Sequence, residues 1–271
     1  MPELPEVETT RRGIASHVLN NKIINVIIRD RRLRWPVATV LEHTLCNESF
    51  CRLERRAKYL LFHTDLGCMI LHLGMSGSLR IVPATTKPEK HDHVDIIFKS
   101  GHCLRFHDPR RFGSIHWTRK NPLHHPLLRE LGPEPLDDEL HGEYLYARSR
   151  KRTLAIKNFI MNSRIVVGIG NIYASEALFH AGIRPQRQAG KISRQRYDNL
   201  AVAIKNILQQ ALDSGGTTLR DFVDGEGKPG YFRQKLQVYG RDGESCYYCG
   251  DTVCQSRLGQ RATYFCPVCQ T

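Results

Sequence analysis

The sequence predicts an α+β protein of two domains, and three observations lead to that expectation. β-branched and aromatic runs recur at short spacing through the first third of the chain, apolar residues fall at helical spacing beyond residue 136, and two cysteine pairs close the carboxyl end. With 271 residues, of which 41% are hydrophobic and 25% charged, the chain can build one large or two modest cores, which excludes a disordered, collagen-like or membrane-spanning protein.

The first element expected is a short helix with Pro5 in its first turn and Val7, Ile14 and Val18 on its buried face. Strands are expected at Ile23 to Ile28, Tyr59 to Phe62, Met69 to Leu73, Val94 to Phe98, Cys103 to Phe106 and Ser114 to Trp117, separated by turn residues such as Asp65, Gly67, Gly77 and Gly101. Many short strands at this spacing suggest a sandwich or a barrel over residues 1–130. The segment LGPEPL, residues 131–136, holds two prolines and a glycine where the pattern changes, and is the expected hinge. A helical domain is expected over 137–224. In it, the glycines of Gly168-Ile169-Gly170-Asn171 lead into a helix from about Ile172 to His180, where backbone can approach an anion at the positive end of the dipole. A longer helix follows, with the stripe Tyr197, Leu200, Ala201, Ile204, Leu208, Ala211 and Leu212, Ser193 as N-cap and Gly215 just past its end. A glycine-rich loop region, 225–236, and a tail module, 237–271, complete the chain.

Forty Lys and Arg against 27 Asp and Glu leave a net charge of +13, which favours a polyanionic partner, nucleic acid first. Between Tyr144 and Tyr197 stand eleven basic residues, Arg152 and Lys157 among them, and one acid, Glu176, so this stretch is expected to face phosphates. No apolar run is long enough to span a bilayer, and the acidic, proline-bearing start does not read as a secretory signal. A cytoplasmic setting is expected.

The tail holds Cys246-x2-Cys249 and Cys266-x2-Cys269. Two such pairs joined by a hairpin can close a tetrahedron of thiolates around a single zinc ion, leaving no position open for water, so the metal is expected to be structural. It would stabilise a tail too small to bury a core. Cys254 falls outside the spacing, while Cys46, Cys51, Cys68 and Cys103 are expected to be buried small hydrophobes. Within the hairpin, Arg261 sits in an aromatic-rich strand suited to meeting a nucleic-acid backbone. Charge and cysteines alone are also compatible with a non-catalytic zinc-ribbon DNA-binding module.

At the amino end, removal of Met1 would expose a secondary amine on Pro2. Such an amine can attack an aldehyde-like carbon and form an iminium, an electron sink. Glu3 could move protons beside it, and Lys58 could lower the amine's pKa or act as a further acid.

Eight ordered blocks spanning nearly the whole chain resemble bacterial formamidopyrimidine-DNA glycosylase. They are the start Pro2-Glu3-Leu4-Pro5-Glu6-Val7-Glu8, RRAKYL (55–60), HLGMSGSLR (72–80), KHDHVD (90–95), DPRRFG (108–113), GIGNIYASEALF (168–179), GKPGYF (227–232) and the four-cysteine tail. The resemblance implies an N-terminal β-sandwich with a leading helix, then a helical domain with a helix-two-turn-helix element and a zinc-finger β-hairpin. It implies a bifunctional glycosylase and AP lyase that removes oxidised purines from duplex DNA, with Pro2 as nucleophile on C1′ and Glu3 as general acid and base. Lys58 is implied in β-elimination and phosphate contact, and Arg261 in δ-elimination and phosphate contact. His91, Arg110, Arg152 and Asn171 are implied as DNA contacts. Met75, Arg110 and Phe112 would fill the space of the extruded nucleotide, Arg110 bonding the orphaned partner base. Leu4 and Arg110-Arg111-Phe112 favour the purine branch over the related endonuclease VIII branch. Damaged double-stranded DNA is the expected partner, and a bacterial monomer working at the nucleoid the expected setting.

Overall fold

The structure, a computed structural model, describes residues 1–215 and 236–271. The expected loop region 225–236, with Lys228 to Tyr231, lies outside the described residues except for its last position. Contacts divide the described chain into two units, Met1–Arg129 on one side and Glu130–Ser214 together with 236–271 on the other.

The first unit opens with α1 (Leu4–Val18), entered through Pro5 and closed at its N-terminus by Glu3. Glu3 and Glu6 form a reciprocal capping box, in which the Glu3 N–H donates to Glu6 Oε2 at 2.8 Å, satisfying donors that a helix start leaves open. Val7, Ile14 and Val18 are buried as their spacing requires. Eight strands and a short helix, α2 (Val40–Leu45), follow. In chain order the strands are β1 (Ile23–Ile28), β2 (Arg52–Arg56), β3 (Tyr59–Thr64), β4 (Gly67–His72), β5 (Ser78–Pro83), β6 (Asp92–Phe98), β7 (His102–His107) and β8 (Ser114–Thr118). They make two antiparallel sheets, ordered β1-β6-β7-β5 and β2-β3-β4-β8. Both sheets and α1 contribute to one apolar core, bridged by Phe50, whose ring centroid lies 5.1 Å from Phe62 and 6.3 Å from Phe98. This is a sandwich with a leading helix.

Two of its strands, β2 and β5, carry no period that marks them out in the sequence. Both are edge strands, and Leu53 is the one buried residue of β2. An edge exposed to water tolerates Arg and Glu, so the alternation that betrays a central strand is lost. The cysteine expectation also needs correction. Cys68 and Cys103 are buried, but Cys51 is exposed and Cys46 only half-buried, because both stand in connections rather than on core-facing strand positions.

The second unit holds α3 (Gly142–Ser149), α4 (Ile156–Ile160), α5 (Asn171–His180) and α6 (Arg194–Asp213), then the hairpin of β9 (Cys254–Leu258) and β10 (Arg261–Phe265). Ser193 caps α6, its side chain accepting from Arg196 N–H, and the predicted apolar stripe is buried. The turns between α4 and α5 use Gly168 in the left-handed region (φ 79°). Residues of the proposed hinge pack on this unit: Gly132 N–H donates to Ser163 carbonyl at 2.8 Å, and Val167 N–H to Pro133 carbonyl at 3.2 Å. The apolar cluster under the hairpin is small, comprising Phe179 of α5 with Val238, Cys246, Val253 and Cys266. Among the described residues no helix is long and apolar enough to cross a membrane.

Candidate nucleic-acid interface and metal centre

Pro2 and Glu3 are buried at the start of α1, with Glu3 only 2% exposed. The helix that carries them is tied to β2. Glu8 lies 3.4 Å from Arg55 Nε, and Arg11 donates to the Leu53 carbonyl at 3.3 Å. Lys58 stands three residues beyond Arg55, in the turn between β2 and β3, where Ala57 adopts φ 55°. The register that pairs Tyr59 with His72 brings β4 alongside, and the two rings approach to 4.7 Å. His72 Nδ1 accepts the Gly74 N–H at 3.0 Å. Burial, then the positive charges of Lys58 and Arg34, push the His72 pKa down to about 4, so its ring is neutral at physiological pH. Sequence reading missed His72 as a site residue. A histidine inside HLGMSGSLR gives no sign of which charges will surround it.

From His72 the chain runs into the loop bearing Met75, which is 38% exposed, and a second loop presents Arg110 and Phe112, the latter 44% exposed. The two loops touch through backbone. A Cβ on Gly74 would lie 2.4 Å from both Gly113 N and Phe112 C, so only glycine permits the approach. The Arg110 guanidinium lies 5.1 Å from the Phe112 ring centroid, within cation–π range. The structure thus places Met75 on one exposed loop and Arg110 and Phe112 on another whose backbone it meets. His91 follows on the same unit. It is half-buried with φ 76°, its carbonyl accepts Asp108 N–H at 3.0 Å, and its ring stands 6.1 Å from that of His107. Partial burial and the charge of Lys90 lower its pKa.

In the second unit, Gly259 and Gln260 both take positive φ (52° and 67°), the geometry of a two-residue hairpin turn, and Arg261 leaves that turn exposed. Asn171, the first residue of α5, donates from Nδ2 to the Ala262 carbonyl at 2.9 Å, so Asn171 and Arg261 are neighbours. Lys157 does the same from α4. Its Nζ donates to the Ala262 carbonyl at 3.1 Å and to Thr263 Oγ1 at 2.8 Å, and the residue is 1% exposed. The expectation that the whole basic stretch faces phosphates is therefore corrected. Lys157 docks the hairpin. Arg150 donates to the carbonyls of Tyr146 and Ile192 at 3.0 Å, and Arg196 to those of Gly182 and Thr271 at 2.8 and 2.7 Å. Arg148, Lys151 and Arg152 remain exposed and line a shallow cavity at the end of α3. Glu176, the one acid of the stretch, is fully buried and accepts the N–H groups of Gln237, Val238 and Tyr239 at 2.8 to 3.0 Å. Burial raises its pKa against the pull of those donors.

The sulfurs of Cys246, Cys249, Cys266 and Cys269 lie within 4.8 Å of one another, with Cys246 to Cys269 at 3.9 Å and Cys249 to Cys266 at 3.4 Å. Four thiolates at about 2.3 Å from a tetrahedral zinc are separated by about 3.8 Å, so these residues could hold such an ion. Cys254, on β9, is outside the cluster.

Comparison with known proteins shows the family to which the chain belongs. Residues 1–115 match the formamidopyrimidine-DNA glycosylase N-terminal domain, and residues 131–223 match the formamidopyrimidine-DNA glycosylase H2TH domain. The chain is 57% identical over 270 residues to the formamidopyrimidine-DNA glycosylase of Syntrophotalea carbinolica and 55% identical to that of Nitrosococcus oceani, covering 100% of each chain in both cases. Among solved structures it resembles the MutM (Fpg) protein of Thermus thermophilus, with TM-score 0.89 and 35% identity over 99% of this chain and 98% of that one. It also resembles the Lactococcus lactis Fpg in complex with DNA containing an abasic site, with TM-score 0.92 and 32% identity over 99% of both chains.

Proposed function

The chain is an enzyme of the formamidopyrimidine-DNA glycosylase family, and from that premise we propose that it excises oxidised purines such as 8-oxoguanine from duplex DNA and then cleaves the abasic site. The observation that carries the reading is the amino end: Pro2 is buried directly before a helix start, beside a carboxylate that is itself almost wholly buried. Once Met1 is removed, the Pro2 amine bonds to C1′ as the C1′–N bond to the base breaks and the base leaves with a proton. The C1′–O4′ bond of the sugar then opens, O4′ takes a proton, and an iminium remains. Glu3 exchanges the protons, and its burial keeps water from competing for them. The iminium makes the C2′ proton acidic. Its loss breaks the C3′–O bond and expels the 3′ phosphate, a step that Lys58 assists. Loss of the C4′ proton then breaks the C5′–O bond and expels the 5′ phosphate, a step that Arg261 assists.

A stacked purine is out of reach of any such amine, so the nucleotide must leave the duplex at a cost of a few kcal/mol. Met75 and Phe112 wedge into the vacated stack while Arg110 bonds the orphaned base, and the bend this imposes exposes the lesion. His91, Arg152 and Asn171 contact the DNA backbone. A single zinc ion held by Cys246, Cys249, Cys266 and Cys269 supplies folding energy to the hairpin that presents Arg261. The enzyme works as a monomer on damaged double-stranded DNA in the bacterial cytoplasm, at the nucleoid.

Sodium borohydride reduces an iminium to a stable amine. Incubation with an 8-oxoguanine duplex and borohydride is expected to crosslink DNA to residue 2, and Pro2→Gly is expected to lose excision. A crosslink mapping elsewhere, or normal excision by Pro2→Gly, overturns the nucleophile assignment.

A further inference from the structure

The wedge residues sit on two separate loops, and what joins those loops is a pair of buried polar side chains that the proposed chemistry does not use. Asp108 is 0% exposed and Ser76 is 8% exposed. Ser76 Oγ donates to Asp108 Oδ1 at 2.8 Å, and Gly113 N–H donates to Asp108 Oδ2 at 2.7 Å. The same Ser76 oxygen accepts the Arg110 N–H at 3.3 Å. Thus one hydroxyl, adjacent in sequence to Met75, touches both the backbone of Arg110 and the carboxylate that fixes the residue after Phe112. Asp108 is immobilised in turn, its N–H donating to the His91 carbonyl at 3.0 Å and its carbonyl 2.8 Å from His93 Nε2. A second anchor acts from outside. Arg111, with φ 56°, pairs with Asp30 at 2.6 Å, which ties down the residue between Arg110 and Phe112 while both of those stay exposed.

We infer that Ser76, through Asp108, is a positioning residue that makes Met75, Arg110 and Phe112 one preformed unit and thereby sets discrimination of the base opposite the lesion. The physical reason is entropy. Two independently mobile loops would each have to be ordered at the moment of insertion, and a loop already held in place avoids that cost. A rigid Arg110 also meets a wrong partner base with poor geometry instead of adapting to it. The inference rests on the proposed wedge role, and the experiment separates the two.

Ser76→Ala removes the hydroxyl without adding bulk. Losing one buried hydrogen-bonding group here is expected to lower kcat/KM for 8-oxoguanine opposite cytosine about 10-fold. The preference for cytosine over adenine as opposite base is expected to shrink with it. Borohydride trapping on a single-stranded oligonucleotide with an abasic site, which has no partner strand to discriminate, is expected to proceed at the wild-type rate. In an Arg110→Ala background, Ser76→Ala is expected to change the cytosine preference no further, the signature of residues that act as a unit. Asp30→Asn, which releases the loop through Arg111 without touching the buried hydroxyl, is expected to shrink the preference in the same direction and covers the case of a Ser76 variant that does not fold. Unchanged kcat/KM and preference in both variants, or a fall in single-strand trapping that matches the fall on duplex, overturns the inference. Normal duplex excision by the double variant Met75→Ala, Phe112→Ala overturns the wedge reading itself, whatever Ser76 does.

Discussion

The sandwich and the cysteine hairpin solve the problem of presenting an exposed site in opposite ways. In the first unit a large apolar core spanning two sheets and α1 supports loops on which Met75, Arg110 and Phe112 stay in solvent. The hairpin end contributes four buried residues to a small cluster with Phe179 of α5, so polar and charged groups take a larger share in holding it. Lys157 and Asn171 bond its Ala262 carbonyl, Gln186 donates to Ser256 Oγ at 2.9 Å, and Gln270 joins Cys266 N–H to the Ile183 carbonyl. The difference teaches that a basic residue in this chain cannot be assigned to DNA by its charge alone. Where apolar packing is scarce, cations become structural.

The largest test of that contrast is the metal. Chelation, or Cys266→Ser, is expected to remove on the order of 10 kcal/mol of folding energy from the tail alone. Amide exchange should rise across residues 236–271 while the sandwich keeps its protection. Metal analysis should find about one zinc per chain, in line with a four-thiolate structural site. Zinc-free protein with a protected, DNA-binding tail would refute the structural role.

An intermediate effect is expected in the sandwich on acidification. The folded His72 pKa of about 4 lies below its ordinary 6.5, so the unfolded chain takes up this proton first as pH falls. The stability this neutral ring contributes is complete above pH 6.5 and disappears by pH 4, a change on the order of 3 kcal/mol. Melting curves of wild type and His72→Asn over that window should converge at the acid end. Parallel curves would show that the ring titrates freely.

The smallest expected change separates two cations five positions apart. Lys157→Met removes the charged donor from the Thr263 hydroxyl and the Ala262 carbonyl, which keep the Arg261 carbonyl and Asn171 as partners, and is expected to cost about 2 kcal/mol, read as a lower denaturation midpoint. Arg152→Ala, exposed, is expected to change stability by less than about 0.5 kcal/mol. For five or six neutralised phosphates, log affinity should fall against log salt with a slope of roughly −5, and Arg152→Ala should reduce that slope by about 1. Equal effects on stability would erase the distinction between docked and free cations.

Much of this molecule was legible in one dimension because the relevant physics is local. Pro5 and the spacing of Val7, Ile14 and Val18 mark α1, the stripe from Tyr197 to Leu212 marks α6, and two C-x2-C pairs suffice to propose a metal tetrahedron, since each depends on neighbours within a turn or a knuckle. The ordered motifs carried the family in the same way. Tertiary structure alone decided which of the eleven cations between Tyr144 and Tyr197 are spent inside the protein, where the edge strands β2 and β5 run, and which charges surround His72. It also decided that Ser76 meets Asp108 across 32 positions and Lys157 meets Ala262 across 105. Burial and hydrogen-bond partnership are relations between distant segments, and no pattern within a single segment records them.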